Sequence, residues 1–151
     1  MTDDLGYFPI PKITCETWDG RNIRLVDSFT FFRPARLGGA AVTFPASQTS
    51  DGPSVPHALA ILGLNHEGPA WPAGVGHDCC YRGPVLVNGV STLMSKNQAD
   101  LLFYEMLLAC GVAELQAREF YEGVVAFGQR AFDEDRAKLA ADEGRRHDVA
   151  G

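Results

Sequence analysis

The sequence predicts an α+β fold, a small N-terminal antiparallel sheet of about three to four strands packed on three to four C-terminal helices. Three observations carry this reading. The first half of the chain has short apolar runs separated by turn formers, the pattern of strands. The second half has longer segments with helical apolar spacing and recognisable caps. The length of 151 residues, with 46% hydrophobic and 21% charged, suits one globular domain with its own core and excludes general disorder. Residues 1–138 are read as that domain and residues 139–151 as a charged tail, frayed or ordered by a partner.

In order along the chain, residues 13–18 form a first strand and Asp19-Gly20 a turn pair. Residues 22–32 form a second extended run through Ile23, Leu25, Phe29 and Phe31, with a bulge to absorb the slip in alternation after Leu25. Pro34 and Gly38-Gly39 break it, and residues 41–44 are a third strand. Residues 46–56 make a tight loop containing Asp51-Gly52-Pro53-Ser54. Residues 57–64 suit a short helix. Residues 73–82 suit a helix with Pro72 in its first turn, and Gly83-Pro84 ends it. Residues 85–93 read as a hairpin centred on Asn88-Gly89. Ser95 caps a helix over 96–110, and Gly111 follows its end. A last helix runs from about 113 to 138, with Leu115, Phe120, Val124, Phe127 and Phe132 near one face.

Charge narrows the function. The net charge is −6 and no basic face is visible, which argues against nucleic acid as a partner and is compatible with a divalent cation. No apolar stretch approaches the ~20 residues that span a bilayer. The opening Met1-Thr2-Asp3-Asp4 lacks a signal-peptide pattern, so a soluble cytosolic product is expected. Cys15, Cys79, Cys80 and Cys110 fit no zinc spacing and are expected to be free thiols.

The chemistry concentrates in Gly76-His77-Asp78-Cys79-Cys80-Tyr81-Arg82. On a helix, His77 and Tyr81 are four apart and share a face, while Asp78 points about 100° away. An imidazole there can act as a general base and the neighbouring carboxylate can hold a hard cation. Asp100 is the one acid in a mostly apolar stretch of the next helix, so it needs a partner. Side-by-side packing of the two helices would bring it within hydrogen-bond reach of His77; the competing arrangement is an Asp100–Arg82 ion pair. Asp51 sits in a loop able to aim carbonyls and a carboxylate at one point, as a calcium site requires, or it simply closes an Asx turn.

The ordered set Thr49-Ser50-Asp51-Gly52-Pro53-Ser54-Val55-Pro56, His77-Asp78-x-x-Tyr81-Arg82, Ala99-Asp100-x-x-Phe103-x-x-Met106, Gly111-Val112, Phe120-Tyr121 and Phe127-Gly128 resembles the phage and prophage family called domain of unknown function 1353. Ser50 stands where that family usually has Thr, and His57 where it usually has Arg. More distantly, His77-Asp78-x-x-Tyr81 followed by Asp100 is similar to the active-site helix of phospholipases A2, and Asp51-Gly52-Pro53-Ser54 to the calcium loop of their bacterial branch. That resemblance implies that His77 deprotonates water, Asp100 orients the imidazole, Tyr81 braces the acids, and Asp51 and Asp78 hold calcium against an ester carbonyl. It implies a calcium-dependent esterase acting on host lipid at entry or lysis, found in the host cytoplasm or the virion. The alternative is an accessory virion protein of tail or baseplate, contacting other virion proteins and keeping the His-Asp helix without activity. An HD-type metal phosphohydrolase using His57, His77, Asp78 and Asp100 ranks last, because the first third of the chain reads as β.

Overall fold

The computed structural model of the protein describes residues 4–9, 15–17, 23–46, 49–50 and 70–150. Within them the chain is α+β. Strands β1 (Cys15–Thr17), β2 (Ile23–Leu25), β3 (Phe29–Phe32), β4 (Ala41–Phe44) and β5 (Thr49–Ser50) precede helix α1 (Trp71–Arg82). Strands β6 (Val85–Val87) and β7 (Val90–Thr92) form a hairpin, followed by α2 (Lys96–Ala109), α3 (Glu114–Phe127) and α4 (Gln129–Ala150). The larger sheet is antiparallel with order β3-β4-β6-β7, so the hairpin after α1 completes a sheet begun in the first half. A smaller antiparallel sheet has order β1-β2-β5.

The run over residues 22–32 is not one bulged strand. It divides into β2 and β3, which belong to different sheets, with bends at Val26 and Asp27. A continuous strand would put Asp27 on the same face as Leu25, Phe29 and Phe31, which are all buried. The bend releases Asp27 to solvent. Beyond it the alternation is clean. Phe29 pairs with Phe44 and Phe31 with Val42 on the inward face, while Thr30 and Thr43 share a hydroxyl hydrogen bond of 2.9 Å on the other. Fully burying a side chain such as Phe31 or Phe44 contributes roughly 1.5–3 kcal/mol.

The Asn88-Gly89 turn is as expected, with φ of 49° and 80°, the left-handed pair of a type I′ hairpin. Asn88 Oδ1 also accepts from the Ala41 amide at 2.9 Å, tying the turn to the end of β4. Ser95 caps α2 in a reciprocal box with Gln98. Arg33, just after β3, makes a two-pronged ion pair with buried Glu105 on α2, fastening sheet to helix.

The expected long last helix is two helices. Gly128 separates α3 from α4, and its amide closes α3 on the Val124 carbonyl. The buried face of α3 is Ala117, Phe120 and Val124, whereas Leu115 and Phe127 are exposed. Residues 139–150, read from sequence as a tail, continue α4 to Ala150. Their Ala, Leu, Glu and Arg content favours helix, and an Arg145–Asp142 ion pair adds local support. The short helix expected over 57–64 and the Asp19-Gly20 turn lie outside the described residues.

Candidate functional site

The candidate site lies where α1 crosses α2. Gly76, one residue before His77, sets how close they come. A Cβ on Gly76 would stand 2.9 Å from Met106 Sδ of α2 and 3.0 Å from Phe44 Cζ of β4. Only a bare Cα lets α1 settle this deeply between helix and sheet. His77 and Tyr81 then project from one face of α1 toward α2, and Asp100 and Phe103, three apart, project back.

Asp100 is fully buried and accepts from three side chains. His77 Nε2 lies 2.8 Å from Oδ1, and the Tyr81 hydroxyl donates to the same oxygen at 2.6 Å. Lys96 Nζ donates to Oδ2 at 2.6 Å. Burial pushes the Asp100 carboxyl up, but the hydrogen bonds from His77, Lys96 and Tyr81 outweigh it and hold the carboxyl below its ordinary value. Asp100 is therefore a carboxylate at neutral pH, and the shared proton sits on His77 Nε2. Burial, and then the Asp100 charge, raise the Tyr81 phenol, so it stays a donor. With Nε2 committed to Asp100, Nδ1 is the ring nitrogen left to act as a base.

The imidazole is packed as well as bonded. Its centroid is 4.3 Å from the Tyr81 ring and 4.6 Å from the Phe103 ring. The side chain is 9% exposed against 0% for Asp100, which sets the ring between the buried acid and the surface. Tyr81 is braced from behind by the edge of Phe132, whose face carries the Arg136 guanidinium at 4.6 Å. Arg136 donates to the carbonyls of Cys80, Tyr81 and Met94, so α4 closes the C-terminal end of α1.

The structure thus brings together His77, Tyr81 and Asp100, and the cation paired with Asp100 is Lys96 of the same helix. Lys96 escapes a reading of the sequence, although its spacing of four from Asp100 is the available signal. Arg136 and Gly128 leave no comparable local signal.

Asp78 is half-buried on α1, turned away from the His77 face. It offers a hard oxygen donor of the kind calcium takes. Among the described residues, however, no group of three His, Cys, Asp or Glu side chains could hold a metal ion. The other expected ligand, Asp51, and its loop lie outside the described residues, as do His57 and His66. Cys79, Cys80 and Cys110 are free thiols. No described helix is long and apolar enough to cross a membrane.

A family model described as "Protein of unknown function (DUF1353)" matches residues 24–124, more than half of the 151-residue chain. The match contains His77, Tyr81, Lys96 and Asp100. No curated protein and no solved structure matches the chain.

Proposed function

The chain belongs to the DUF1353 family of proteins of unknown function, and from that premise we propose that it is a phage-encoded, phospholipase A2-like esterase, dependent on calcium, that acts on host lipid at entry or lysis. One observation carries the reading, the buried His77–Asp100 contact of 2.8 Å with Tyr81 on the same oxygen. A histidine held by a buried carboxylate through one nitrogen is the arrangement of a base and its orienter.

In the proposed reaction Nδ1 of His77 takes a proton from water as the water oxygen attacks the ester carbonyl carbon. The electron pair moves to the carbonyl oxygen. On collapse the acyl C–O bond breaks, and the imidazolium returns its proton to the leaving alkoxide, giving a fatty acid and an alcohol. Asp100 stabilises the transient imidazolium and keeps the ring in one tautomer. Calcium, held by Asp78 with Asp51 and carbonyls of its loop, would supply positive charge against the ester carbonyl. The protein would work in the host cytoplasm or on the virion, where other virion proteins are its neighbours.

Two measurements test this. Calorimetric titration with calcium is expected to give one site, lost in Asp51→Asn and in Asp78→Asn. Purified protein with calcium is expected to release fatty acid from mixed bacterial lipid. If no fatty acid appears, the accessory virion protein of tail or baseplate becomes the better reading.

A further inference from the structure

We infer that Lys96 is a positioning residue of the His77–Asp100 pair, an ammonium that locks the carboxylate in the one orientation that serves His77. The inference rests on the hydrolase reading above for its catalytic consequence, and on geometry alone for the positioning. An ammonium has three N–H donors, and the structure gives each an acceptor. One goes to Asp100 Oδ2 at 2.6 Å, one to the Val124 carbonyl at 2.9 Å and one to the Val125 carbonyl at 3.4 Å. The latter two are in the last turn of α3, where the outward-pointing carbonyls and the helix dipole favour a cation. The Lys96 side chain is only 10% exposed.

The division of labour on Asp100 follows. Oδ2 belongs to Lys96 and Oδ1 to His77 and Tyr81. Pinning Oδ2 fixes the rotation of the carboxylate, which aims Oδ1 at Nε2. Without Lys96 the fully buried Asp100 would keep, among the described residues, the donors of the His77 ring and the Tyr81 phenol on Oδ1, and Oδ2 would lose the ammonium. A buried carboxylate in that state turns to find another donor or takes up a proton, and either change releases His77. Gly128 makes room for this. A Cβ there would stand 2.8 Å from the Tyr81 hydroxyl and 3.4 Å from Lys96 Cε, so the α3–α4 joint is shaped around the same cluster. The end of α3 therefore reaches the site through Lys96.

The test is nuclear magnetic resonance on the whole chain, joined to kinetics. In the wild type, the His77 ring N–H proton should appear as a downfield, slowly exchanging resonance, and the Lys96 ammonium should exchange slowly. In Lys96→Met, the folded protein should lose or shift the His77 resonance. Its kcat for lipid ester should fall about ten- to a hundred-fold, the scale seen when an outer partner of a reacting group is removed, with KM little changed. A lysine that served stability alone would lower the unfolding midpoint and leave the His77 resonance in place, which would overturn the inference. Should Lys96→Met not fold, the wild type still decides, because a freely exchanging Lys96 ammonium would overturn it equally. A wild type that hydrolyses no ester would end the hydrolase reading while the resonance comparison still judged Lys96.

Discussion

Asp100 is the residue on which the site turns, because it is fully buried and its charge is balanced by a neighbour that is itself mostly enclosed. Asp100→Asn removes the anion and leaves the Lys96 ammonium facing a neutral amide, a situation that destabilises proteins by about 3–5 kcal/mol. Urea denaturation at neutral pH measures it. The pH dependence has a defined sign. Since the folded-state carboxyl lies below its ordinary value of 3.8, its contribution is present above that value and is lost as the pH falls through the depressed one. The wild type should therefore lose stability toward Asp100→Asn only in the acid range below about pH 5, and the two curves should run parallel above it. His77, Tyr81 and Asp100 are legible from sequence because their signals are local, a spacing of four on one helix and an acid set in an apolar stretch of the next. Lys96 is not, since in sequence it is a lysine in a helix's first turn. Its burial arises only when the end of α3, some thirty residues on, folds across it.

At the scale of elements, α1 owes its depth to Gly76, and a second glycine two residues earlier provides the control. Gly76→Ala gains helix propensity of up to about 1 kcal/mol. It also forces a methyl against Met106 and Phe44, both fully buried, and overpacking of this kind costs about 1–3 kcal/mol. The expected net effect is destabilisation of about 1 kcal/mol, with the His77–Asp100 contact loosened. A Cβ on Gly74 meets nothing within 4 Å, so Gly74→Ala should stabilise by about 0.5–1 kcal/mol. Thermal unfolding of the two variants separates them, and equal shifts of the same sign would contradict this account of the helix crossing. The positions of α1, α2 and the β6-β7 hairpin are legible in the sequence because caps and turn residues mark their ends. The break at Gly128 is less so. The apolar positions Leu115 and Phe127 continue a helical stripe that the folded chain does not bury, and a Cβ at Gly128 would meet both the Val124 carbonyl at 2.5 Å and the Tyr81 hydroxyl of a distant helix at 2.8 Å.

In the molecule as a whole, the sheet, the α1–α2 crossing and α4 surround the His77–Asp100 cluster. The thiols report that enclosure. Cys79 and Cys80 are buried, and burial, chiefly, pushes the Cys80 thiol up to about 12. Thiol titration of the native protein should leave both unreacted, whereas unfolding under non-reducing conditions should reveal all four cysteines of the chain. Finding two or none would show disulfides instead. The fold class is legible from the contrast between the two halves of the sequence, but the division of strands between two sheets is not, because β3 and β4 find β6 only after α1 intervenes. The proposed esterase activity depends on how this frame holds His77, and a comparison of two proteins checks it. Fatty-acid release from mixed bacterial lipid in the presence of calcium is measured for the wild type and for His77→Ala, both confirmed folded by circular dichroism. Steady release by the wild type is expected, with a loss of about 10²–10⁴-fold in the variant, the usual contribution of a positioned general base. Equal rates from the two proteins, or no release from either, would contradict it.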